Sequence, residues 1–182
     1  MKRISSLMIF AVILLLTVLL GAVFVTPAPV VQAQGAASWV GQFYNNPDLN
    51  DPVVATGLYT TGLSQNWGTG QPNDSSRVLT EVNPDNFSAR FVATVPFSAG
   101  LYEFVITSDD GARLFINGLP VIDNFNEGGL STVSAIVSIS GPATLIVEYR
   151  ETTGQALIQV QWFPTSGTSL VPTSTPAPRR CH

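Results

Sequence analysis

The chain has 182 residues, 12 acidic against 8 basic, a net charge of −4 and a charged fraction of only 11%. That length suits one domain, and beyond Arg3 the only adjacent basic pair is Arg179-Arg180 near the C-terminus, so a phosphate-tracking surface and a nucleic-acid partner are excluded. The single cysteine and single histidine, Cys181 and His182, are also terminal, which excludes an internal disulfide, a His/Cys metal cluster and a histidine-based acid–base pair within the body of the chain.

Residues 1–33 open with Lys2 and Arg3, continue as an apolar run from Leu7 to Val25 broken only by Thr17, and end in small residues. This reads as a signal peptide, with Val31 and Ala33 at the small-residue positions before a cleavage site. The run is also as long as the ~17–25 residues of a spanning helix, so an uncleaved N-terminal anchor is the alternative and the only expected membrane contact. Either way the domain is expected to be secreted or displayed at the cell surface. Without Lys2 and Arg3 the remainder carries six arginines against twelve acids, a net charge of −6. An acidic exported domain is compatible with calcium, a cation that takes carboxylate oxygens.

After a short linker at 34–37, residues 38–164 form the expected domain, and their apolar residues repeat with period two. Phe87, Ala89, Phe91, Ala93, Val95 and Phe97 share one face, as do Val133, Ala135, Val137 and Ile139. The same holds for Ala143, Leu145, Val147 and Tyr149, and for Ala156, Ile158, Val160 and Trp162. These are half-buried antiparallel strands. Asn117-Gly118 reads as a type I′ hairpin turn, and Ser98-Ala99-Gly100, Ser140-Gly141-Pro142 and Thr152-Thr153-Gly154 read as the turns of further hairpins. The fold class is therefore all-β, an antiparallel β-sandwich or barrel. Asn45 to Val82 follows this rhythm poorly; its loops either display binding groups or wrap the sheet edges. The Ser/Thr/Pro-rich tail, 165–182, cannot bury enough apolar surface to fold.

The stretch "TSDDGARLFING" (107–118) sets Asp109 beside Asp110 at the end of an apolar strand. Successive strand side chains point to opposite faces, so both reach one cation only if the backbone kinks between them. The alternative is a plain Asp-Asp-Gly turn, with Gly111 supplying a positive φ. The loop "DNFNEGG" offers Asn124 and Asn126 as hydrogen-bonding groups for sugar hydroxyls, or as turn formers. Trp67, between loop residues, either stacks on a pyranose ring or plugs the core.

The blocks "WVGQFYNNPDL" (39–49), "WGTGQP" (67–72), "DNFSARFVATVPF" (85–97), "GLYEFVITSDDGARLFINGLPVIDNF" (100–125) and "ATLIVEYRETTGQALIQVQW" (143–162) occur in this order. Together they resemble the protective-antigen-type, or PA-fourteen, domain family. The resemblance implies a β-sandwich module of toxins, glycosidases, adhesins and surface proteins. In several members a calcium ion held by the aspartate pair, across a cis peptide, binds sugar. It thus implies Asp109 and Asp110 as metal ligands and glycans or cell-surface polysaccharide as partners. The adhesin branch completes the site with an asparagine after its "VEY"-like strand, where this chain has Glu151 as the matching candidate. No catalysis is expected: a glycoside-cleaving pair stands ~5–10 Å apart across a cleft, unlike two adjacent aspartates. The rival function is a structural or protein-interaction module in which the pair is a turn or a stabilising metal site.

Overall fold

The computed structural model describes residues 37–166. The expected leader and all but the first two residues of the expected tail lie outside them. Among the described residues no helix is long and apolar enough to cross a membrane.

Ten strands follow one another: β1 (Trp39–Tyr44), β2 (Ala55–Tyr59), β3 (Ser64–Gly68), β4 (Phe87–Val95), β5 (Gly100–Asp109), β6 (Gly111–Ile116), β7 (Leu119–Asn124), β8 (Ser131–Ile139), β9 (Ala143–Glu151) and β10 (Ala156–Thr165). They form two antiparallel sheets, a six-stranded one ordered β2-β1-β4-β9-β6-β7 and a four-stranded one ordered β3-β10-β5-β8. The alternating residues read from the sequence are the inward faces: Phe87, Ala89, Phe91, Ala93 and Val95 of β4 meet Ile158, Val160 and Trp162 of β10 in one core. Edge strand β8 departs from this. Its Val133, Ala135 and Val137 are only half-buried, because no strand lies beyond it.

Asn117 and Gly118 both take positive φ, 51° and 79°, and join β6 to its sheet neighbour β7 as a true hairpin. The other three turns are not hairpins. The connections β4–β5, β8–β9 and β9–β10 each leave one sheet and enter the other. Turn residues mark a reversal of the chain but carry no record of which sheet the next strand joins.

The poorly alternating segment 45–82 holds two of the four edge strands, β2 and β3, and wraps the first of them. Asp74 accepts hydrogen bonds from the N–H of Leu58 on β2 and from the N–H groups of Ser76 and Arg77, while Ser75 N–H donates to Leu58 O. These bonds occupy backbone groups on the free side of β2, which removes an edge for stray pairing. Trp67 belongs to the core rather than to a sugar platform. It is 8% exposed, packs edge-on against Phe43 and Phe87 and tilted against Tyr149, and donates its indole N–H to Asn73 O at 3.1 Å.

Candidate functional site

Asp109 ends β5 in one sheet and Gly111 starts β6 in the other, so Asp109-Asp110 is the corner at which the chain changes sheets. The peptide between them is cis. Two further sheet-changing connections arrive at the same end: residues 125–130 between β7 and β8, and 152–155 between β9 and β10. Asp110 ties all three. Its Oδ1 accepts from Gly129 N–H at 2.6 Å, and its Oδ2 accepts from Thr152 N–H at 2.9 Å and from the Thr152 hydroxyl. Burial works to raise its pKa, yet these donors, with the Thr153 N–H, outweigh burial and hold Asp110 below its ordinary value as a carboxylate.

Asp109 has a different environment. Its side chain is half-buried, and burial followed by the charge of Asp110 moves its pKa upward. Its backbone carbonyl accepts from the Tyr149 hydroxyl, which also reaches Glu151 Oε2 at 3.0 Å. Glu151 is wholly buried and its Oε1 has no partner. Burial is the main cause that lifts its pKa to about 7, reinforced by the charges of Asp110, Asp109 and Asp85 and opposed by the Tyr149 hydroxyl. Three arginines on neighbouring strands do not offset these acids: Arg90 and Arg113 are engaged with Glu148, and Arg150 donates to Asn126 Oδ1 at 3.3 Å.

The structure brings a half-buried Asp109 and a buried Asp110 together at the corner and places Glu151 behind them. Among the described residues no three His, Cys, Asp or Glu side chains converge as a metal-binding set. Glu151 is therefore not a third carboxylate of a ready-made cluster. It points into the core beside Tyr149, because strand alternation turns residues 149 and 151 inward and Arg150 outward. Asn126 is exposed at the rim, whereas Asn124 is half-buried and spends its amide on Ser131 Oγ at 2.9 Å.

Gly111 does not fill the turn role expected of it. It does not adopt a positive φ; a Cβ there would overlap the Phe125 carbonyl, with its carbon at 2.6 Å and Asn124 O at 3.0 Å. The glycine permits close approach of the loop that carries Gly129 to the corner. Sequence reasoning also missed Thr152 and Gly129 as the groups that hold Asp110. The Thr-Thr-Gly signal was visible, but only as a turn.

A two-sheet sandwich with an aspartate pair at its sheet-changing corner defines a class of β-sandwich module. Residues 37–170 match the family model of the PA14 domain, and the chain belongs to that family. The anti-sigma-I factor RsgI3 of Acetivibrio thermocellus is 24% identical over 157 residues, 77% of this chain and 22% of that protein. The chain thus spans about a fifth of the length of this curated relative. An anti-sigma factor domain-containing protein from Clostridium clariflavum has a TM-score of 0.59 at 23% identity, over 80% of this chain and 49% of that one. The PA14 sugar-binding domain from an RTX adhesin gives 0.55 at 18% identity, over 74% and 93%. Both structural likenesses establish the fold.

Proposed function

We propose that this domain is a non-catalytic, calcium-assisted sugar-binding module of an exported or surface-displayed protein. The observation that carries this reading is the Asp109–Asp110 corner, an ionised carboxylate beside a second, part-exposed carboxylate with no basic side chain paired to either among the described residues. Such a donor set suits a hard, oxygen-seeking cation. Two aspartates fall short of the ~6–8 oxygens calcium takes, so backbone carbonyls, water and ligand hydroxyls complete the count. Asp109 and Asp110 hold the ion, and bound calcium supplies a positive centre for sugar oxygens. Thr152 and Gly129 fix Asp110 in place, Tyr149 and the buried Glu151 back Asp109, and Asn126 at the rim offers a hydrogen bond to a sugar hydroxyl. The adhesin domain of the same fold is described as sugar-binding, which supports the ligand class.

The test is calorimetric titration of calcium into the protein, Asp109→Asn and Asp109→Asn/Asp110→Asn, followed by a glycan array with and without chelator. Asp109→Asn is the cleaner probe, because it leaves every bond to Asp110 intact. The expected result is calcium heat lost in both variants, thermal stabilisation of about 2.7 kcal/mol at a hundredfold excess over Kd, and chelator-sensitive glycan signal. Unchanged calcium binding in Asp109→Asn overturns the site, and chelator-insensitive glycan signal overturns the role of calcium.

A second reading has its own observation: both oxygens of Asp110 are already engaged by protein donors. On that reading the corner is a brace, and the module serves protein assembly. Absence of calcium heat and of any glycan signal in the wild type selects it.

A further inference from the structure

We infer that the outer face of the six-stranded sheet is a self-association surface on which a second copy of this chain docks face to face. An antiparallel sheet with one face in water usually alternates apolar-in with polar-out. Here that alternation fails along one line. Leu58, Val40, Val92, Ile146, Phe115 and Pro120 lie in direct cross-strand register, one from each strand in the order β2-β1-β4-β9-β6-β7. Leu58, Val40 and Val92 are 48%, 47% and 37% exposed. On the outer face of the four-stranded sheet the apolar residues Val105, Ile136 and Phe163 are interrupted by Ser134, Gln161 and Glu103, and one row is polar throughout, Ser64, Gln159, Thr107 and Thr132. Nothing in strand formation therefore demands an apolar row.

Size and the order of the rows both select a second copy as the occupant. Six strands ~4.8 Å apart span ~24 Å, and the apolar row with its flanking rows covers on the order of 600 Å². A pair buries about 1,200 Å², the lower edge of stable specific interfaces. Beside the apolar row runs a second row in register, Gln42, Arg90, Glu148, Arg113 and Asp123, whose charges alternate in sign from Arg90 onward. A two-fold axis parallel to the strands and between β4 and β9 sets Val92 over the partner's Ile146, Val40 over the partner's Phe115 and Leu58 over the partner's Pro120. The same operation sets Arg90 over the partner's Glu148. The operation thus lays the apolar row on the apolar row and the polar row on the polar row, as an isologous contact requires. Glu148 already engages Arg90 at 2.7 Å and Arg113 at 2.5 Å, so docking covers a paired ionic row rather than bare charges. This face is lateral to the aspartate corner and leaves that corner open.

The experiment is sedimentation equilibrium of the full chain from ~1 to ~100 μM, with reductant to exclude a Cys181 disulfide. It is repeated on Val92→Glu, Val40→Glu and, as the opposite-face control, Thr107→Glu. The expected result is a reversible dimer for wild type and Thr107→Glu, and association weakened about tenfold or more in Val92→Glu and Val40→Glu at unchanged Tm. If Val92→Glu lowers Tm, Val40→Glu on the neighbouring strand is decisive alone. A wild type that stays monomeric, or association equal in all four proteins, overturns the proposal; the latter assigns association to another part of the chain.

Discussion

Strand β9 carries two buried glutamates three residues apart, Glu148 and Glu151, and the molecule treats them in opposite ways. Glu148 faces outward and is covered by two guanidiniums that share its carboxylate. Arg113 in turn lies over the rings of Phe115 and Phe125, at 5.6 and 4.4 Å from their centroids. Glu151 faces inward, keeps one oxygen unpartnered, and shares its end of the sandwich with Asp109 and Asp110. A paired buried carboxylate is a structural part. An unpaired group beside two more acids is costly unless it holds a proton or a cation arrives. The contrast separates the load this sandwich carries on its face from the chemistry it keeps at its end.

Three substitutions test that contrast. The largest effect is expected for Gly111→Ala, which drives a methyl group into the Phe125 carbonyl. It should cost about 3 kcal/mol or more, and denaturant unfolding should show it, with calcium heat lost together with stability. The outward carboxylate is next. Glu148→Gln leaves two part-exposed guanidiniums facing a neutral amide, for a loss of about 1–2 kcal/mol by the same measurement, with calcium binding unaltered because the corner is untouched. The smallest effect concerns the inward carboxylate and is read from Tm against pH. The folded pKa of Glu151 is about 7 and its ordinary value 4.5. The folded state therefore holds the proton more tightly than the unfolded chain, and stability falls as pH rises from about 4.5 to about 7. Asp109, also shifted upward, contributes a fall of the same sign that starts from its ordinary carboxylate value, whereas Asp110, shifted downward, loses its contribution only as pH drops below the ordinary carboxylate range. Glu151→Gln should flatten the decline between about pH 4.5 and about pH 7, and an unchanged slope would place its cause elsewhere.

Much of this was legible in the chain because it is local. The alternation of Phe87 to Phe97 or Ala156 to Trp162 is imposed by strand geometry alone, and Asn117-Gly118 announces a turn through its own φ angles. The aspartate pair stood out as two adjacent like charges. The roles of the neighbouring groups were less accessible. Trp67 sits among loop residues in sequence but beneath Tyr149 and Phe87 in space, and Thr152 and Gly129 meet Asp110 only through connections from other strands. The apolar row from Leu58 to Pro120 has the same origin, since each strand contributes one residue that looks ordinary by itself.

An all-β chain, the inward face of nearly every long strand and an aspartate pair at a strand end are written in the order of residues, because each follows from covalent neighbours and the two-residue repeat of the pleat. Packing between strands settles that three of the four turns cross between sheets, that Gly111 serves a close approach rather than a positive φ, and that Glu148 is paired while Glu151 is not. These depend on which strands lie side by side, and alternation records the side a residue faces but not the neighbour it meets there.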